Sequence, residues 1–144
     1  MTIQIRSPGF FVFWLLLAPG LWACNSPLAD QTRVVGLLDA GAGSVAPSLP
    51  DTAHAGVPFD ITITTFGGAC DQPDRADVRT NGLVADVTPY DRLPPPGTNC
   101  ISILHDLPRP VSLVFPLPGI GRVRVHGRGA AGDITLVSSI TVVP

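Results

Sequence analysis

Three histidines, three cysteines and eleven aspartates are the side chains of this 144-residue sequence best able to do chemistry. A hydrolase needs a nucleophile, a base and an acid that orients the base. His54 reads as a turn residue, His105 as a loop residue and His126 as the outward member of an alternating stretch, all three solvated. No serine has the sharp strand-to-helix setting of a nucleophile elbow, so no catalytic residue is expected. Cys100 and His105, with His54 upstream, have the residue types of a blue-copper site. The axial methionine is missing, since Met1 is the only methionine, and Cys100 has a competing partner in Cys70. Asp71, Asp74 and Asp77 in CDQPDRAD could offer oxygens to calcium, which takes six to eight. The sequence has no glutamate for bidentate closure, the spacing is not that of an EF-hand, and Arg75 can neutralise a neighbour. They read as solvated loop residues and turn formers, and no metal or cofactor is expected. The glycine pairs Gly119/Gly121 and Gly127/Gly129 have no strand-to-helix setting for a phosphate and read as turn glycines.

Any site must be carried by strands. All nine basic residues are arginine and all eleven acidic ones aspartate, so lysine and glutamate, two good helix formers, are absent. Fifteen glycines and sixteen prolines cut the chain into short segments rich in β-branched residues, the profile of an all-β fold, and the 45% hydrophobic content argues against disorder. Strands are expected at Arg33–Leu38 and at Val57–Phe66, where Phe59, Ile61 and Ile63 alternate with Asp60, Thr62 and Thr64, and Val45–Pro50 between them reads as a short extended piece that prolines confine to an edge or a strand switch. Asp77–Thr80 and Leu83–Thr88 flank Asn81-Gly82, the strongest short hairpin signal, because both turn positions of a type I′ turn need positive φ. Cys100–Leu104 and Val111–Phe115 follow, separated by a loop holding Pro108 and Pro110. Gly121–Gly127 and Asp133–Val143, the latter in two pieces, close the chain. Eight or nine short strands without helices suggest a two-sheet antiparallel sandwich.

The N-terminus reads as a leader. Arg6 precedes the apolar run Phe10–Ala18, which Pro19 and Gly20 end. That run is shorter than the roughly 20 residues needed to span a bilayer, so it is expected to be a signal peptide helix rather than a permanent anchor. Leu21-Trp22-Ala23-Cys24 resembles the lipobox of bacterial lipoproteins. The resemblance implies cleavage before Cys24, lipid on its sulfur and attachment to the cell envelope. Two or more acyl chains would hold it there, each buried methylene contributing ~0.8 kcal/mol. Asn25 rather than aspartate follows, which leans towards the outer membrane. With Cys24 lipidated, Cys70 and Cys100 remain to pair in an oxidising compartment, closing a loop of about 31 residues. The expected organisation is leader 1–23, tether 24–32 and one domain 33–144. Without Arg6 the charge is near −3, which gives no reason to expect a nucleic-acid partner.

Leu49–Thr65 (LPDTAHAGVPFDITITT) is similar to the approach to strand B of bacterial immunoglobulin-like domains, and Pro118–Gly127 (PGIGRVRVHG) to their penultimate strand. The resemblance implies an immunoglobulin-like sandwich that serves adhesion, spacing or scaffolding, although a fold alone does not imply a function. The expected function is a non-enzymatic envelope lipoprotein whose partner is an envelope protein or glycan. The alternative is a small-ligand or calcium binder using loops near the disulfide. Those loops are expected at one end of the sandwich, Gly67–Asp77 with its three aspartates facing Tyr90, Asp91, Arg92 and the stiff run Leu93–Gly97 (LPPPG). Tyrosine and arginine are the residue types most enriched at binding hot spots.

Overall fold

The structure, a computed structural model, describes residues 31–41 and 43–144; the leader, Cys24 and most of the tether lie outside the described residues. Among those residues all regular structure is β. The eight strands are β1 (Thr32–Val35), β2 (Thr52–His54), β3 (Phe59–Gly68), β4 (Gln72–Asn81), β5 (Val84–Leu93), β6 (Leu104–Leu113), β7 (Gly119–Gly129) and β8 (Gly132–Val143). One sheet runs β4-β5-β7-β8-β2, with β1 pairing the far end of β5 on the side that β7 occupies nearer its start. The other sheet is the β3-β6 pair.

Alternation on facing strands builds the core between the sheets. Ile61 and Ile63 of β3 with Val111 and Leu113 of β6 pack against Val87, Val123, Val125 and Ile140 of the larger sheet. Burying each such side chain contributes roughly 1.5–3 kcal/mol. Phe115 and Phe59 close one end, their ring centroids 5.7 Å apart. At the other end the chain passes from one sheet to the other through Gly36. Gly36 donates its N–H to Pro89 O at 2.8 Å, and Phe66 then donates to Leu37 O at 2.7 Å. A Cβ on Gly36 would lie 2.5 Å from Thr65 Cγ2, so only glycine fits this crossing.

The sequence expectations need correction at several points. The pairing is not wholly antiparallel, since β2 runs parallel to β8 and β5 parallel to β7. β5 and β7 are joined through β6 in the opposite sheet, and such a crossover returns the chain in the same direction. Pro108 and Pro110 stand inside β6 rather than in a loop, while residues 100–103 form no strand. Thr62, the partner of Pro110, exchanges both backbone hydrogen bonds with Ser48 on its far side. The missing proline N–H therefore points to the free edge of β6, where nothing accepts it.

The hairpin turn is Gly82-Leu83 rather than Asn81-Gly82, because Asn81 pairs with Val84. Gly82 has φ +59°, and among the described residues only glycines have positive φ, which matches a type II′ turn. In this register Leu83 O accepts from Arg122 N at 2.7 Å. The stretch Gly67–Asp77 is no loop, since β3 runs to Gly68 and β4 begins at Gln72. Finally, Asp133–Val143 lies within one unbroken strand, paired with β7 along its length.

Candidate functional site

Alternation on β5 divides its residues between the two faces. Ala85, Val87, Pro89 and Asp91 point into the sandwich, so Asp86, Thr88, Tyr90 and Arg92 face out. The register sets Asp77 beside Thr88 and Arg79 beside Asp86. On the far side of β5, β7 contributes His126. These side chains line a concavity of about 360 Å3 on the outer face of the larger sheet. A shallower one of about 280 Å3 shares Thr88 and His126 with it and extends to Thr135 and Asp133.

Polar contacts hold the lining in place. Arg124 Nη2 donates to Asp86 Oδ2 at 2.7 Å, and His126 Nε2 lies 2.7 Å from Asp86 Oδ1. His126 and then Arg124 hold the Asp86 carboxyl below the usual carboxylate range against a small opposing effect of burial. An ionised Asp86 only accepts, so Nε2 of His126 donates to it, and Nδ1 lies 3.0 Å from Thr135 Oγ1. A hydroxyl, an imidazole and a carboxylate are thus connected as in a nucleophilic triad. Strand N–H groups lie in the plane of the sheet, however, and none is aimed above this open face as an oxyanion hole would require. What the arrangement does is clamp β5, β7 and β8 together.

A second network frames Tyr90. The Arg33 guanidinium lies 3.7 Å from the Tyr90 ring centroid and pairs with Asp74 (Nε to Oδ2, 3.2 Å) and Asp77 (Nη2 to Oδ1, 3.4 Å). Arg92 Nη2 reaches Asp74 Oδ1 at 2.9 Å. That hydrogen bond leads the causes that hold Asp74 below the ordinary carboxylate range, ahead of the opposing effect of its burial.

The expected binding loops are therefore strands, and the structure separates their residues. Asp74, Asp77, Tyr90 and Arg92 share the framework around Arg33, Asp71 accepts from Gly68 N at 2.7 Å in the β3–β4 turn, and Asp91 is buried between the sheets. Asp74 and Asp77 share Arg33, and Asp71 is engaged apart from them. Among the described residues no three His, Cys, Asp or Glu side chains are grouped as a metal ion would need.

The disulfide joins Cys70 in the β3–β4 turn to Cys100, with Cα atoms 5.9 Å apart, so Cys100 offers no thiolate to copper. His54 meets Pro144 O, whereas His105 stands half-buried on β6 with Nδ1 lacking a partner. Arg33, Arg79, Asp86, Thr88 and His126 were not legible as site residues. Extending the alternation of Leu83–Thr88 to Leu93 would have turned Tyr90 and Arg92 outward and Asp91 inward. The neighbours across β5 carry no such signal.

No known protein family, curated protein or solved structure matches this chain. What it does must be read from its own geometry.

Proposed function

We propose that this protein is a non-enzymatic envelope lipoprotein, anchored by lipid on Cys24, whose sandwich is a recognition module for an envelope glycan. The observation that carries the reading is the concavity bounded by Asp77, Arg79, Asp86, Thr88, Tyr90 and His126. Its carboxylates, guanidinium and hydroxyls suit a ligand rich in hydroxyl groups; Asp86 is held by His126 and Arg124, and Asp77 and Tyr90 by Arg33, so part of the lining is fixed before binding, which lowers the entropy lost on association. The domain is of the immunoglobulin-like kind: the β3–β6 pair and the β7–β8 hairpin with β2 parallel to β8 support this, while the parallel β5–β7 pair is its departure from that pattern.

The test is equilibrium binding of the purified full chain to polysaccharide fractions from the envelope, beside an Arg79→Ala/Asp86→Asn variant. The variant should bind at least tenfold more weakly. Wild type that binds no fraction, or a variant that binds equally well, refutes the glycan reading.

A further inference from the structure

Most of β8 forms an open edge of the larger sheet. Three other edges of the sandwich are closed to an added strand. β6 presents Pro108 and Pro110, which have no N–H to offer. The far side of β3 is met by Ser48 and Leu37. β4 is irregular between Pro73 and Ala76 and carries Asp74, Arg75, Asp77 and Arg79. β8 differs from all of these. β2 covers it only from Thr141 to Val143, where Ala55 N also donates to Val143 O at 2.8 Å.

The orientation of Val143 O shows that the odd-numbered residues of β8 turn their backbone groups to this side. Upstream of Thr141 these are Asp133, Thr135, Val137 and Ser139, and among the described residues none has a backbone partner there. The stretch DITLVSS contains no proline, no bulge and one charge, and Val137 is 60% exposed. On its inner face Ile134 and Leu136 are only partly buried against the core.

We propose that this edge is a homodimer interface, in which β8 pairs antiparallel with β8 of a second copy about a two-fold axis at Leu136. The free stretch is symmetric about that residue, so a copy of itself fits it end to end. Asp133 then faces Ser139 and Thr135 faces Val137, which forms about eight backbone hydrogen bonds. The two Asp133 carboxylates stay at opposite ends, and the two Leu136 side chains meet across the axis on the inner face. The mate's strand begins at Gly132, so it ends where β2 takes over the edge. A foreign peptide would find only one charged side chain to recognise, whereas self-pairing needs no more than the symmetry already present.

The test is sedimentation of the purified full chain, in density-matched detergent, beside Val137→Pro and Val78→Pro. Proline at 137 removes an N–H that β7 does not use, so the domain keeps its fold, as thermal unfolding would show. Val78 stands at the equivalent position on the β4 edge and controls for proline itself. Wild type and Val78→Pro should be dimers and Val137→Pro a monomer. A monomeric wild type at its highest soluble concentration overturns the proposal. A dimer that survives Val137→Pro overturns it as well.

Discussion

Arg109 of β6 and Asp91 of β5 form an ion pair between the two sheets, with both side chains at most 5% exposed. Thr65 Oγ1 donates to Asp91 Oδ1 at 2.9 Å and accepts from Arg109 Nη2, while Arg109 Nη1 donates to Tyr90 O and, at 3.1 Å, to Asp74 O. One guanidinium thus ties β6 and β3 to β5 and β4, behind the outward-facing Tyr90. Arg109 Nε is left without a partner.

Replacing only one member of this pair should be costly, because the other is left buried and unpaired. Arg109→Met is expected to lose about 3–5 kcal/mol, whereas Arg109→Met with Asp91→Leu should recover most of it. Urea unfolding of the three proteins checks this. A double variant no more stable than the single one would show that the network holds the sheets together by more than charge.

Reduction of the Cys70–Cys100 disulfide should lower stability by up to roughly 3.7 kcal/mol, the chain-entropy value for a loop of that length. The strands on either side are anchored by their own ladders, so circular dichroism should retain its β signal. Unfolding midpoints with and without reductant measure the difference.

Asp86 makes stability depend on pH with a definite sign. Its folded pKa lies below the unfolded value of about 3.9, so its contribution is present above that value and is lost as pH falls through the folded pKa. Asp86→Asn should therefore be destabilised relative to wild type at pH 7, with the gap narrowing towards pH 3. Urea midpoints at the two pH values decide it, and a constant gap would mean that the charge is not the cause.

Lipid on Cys24 predicts that the mature chain begins there. Intact mass of membrane-extracted protein should report the acyl chains together with the two protons lost to the disulfide, and Cys24→Ser should move the protein to the soluble fraction. A variant that stays with the membrane would remove the lipid anchor from the reading.

The all-β class could be read directly from composition and from Phe59–Ile63 and Val123–Val125, where alternation leaves one solution for which face is buried. The Cys70–Cys100 pair was legible too, once Cys24 was assigned to lipid, because only two cysteines remained. Local pattern failed where a backbone rule depended on a neighbour. Pro108 and Pro110 read as a loop since proline breaks most ladders, yet Pro110 is tolerated in β6 because Thr62 opposite it turns its backbone hydrogen bonds to Ser48, and Pro108 has the same alternation. The Asn81-Gly82 signal located the hairpin correctly and missed its register by one residue.

The sequence by itself determined what the clearly alternating strands such as β3 and β7 bury, since side-chain period and hydrophobicity are local properties. It could not determine which strands lie side by side. The concavity needs Asp86 and His126 in contact, 40 residues apart, and the ion pair needs Asp91 and Arg109 to meet from opposite sheets. Both depend on β6 crossing to the second sheet so that β7 returns parallel to β5. That choice is made by the packing of the whole core, in which every strand contributes a face and none alone specifies its partner.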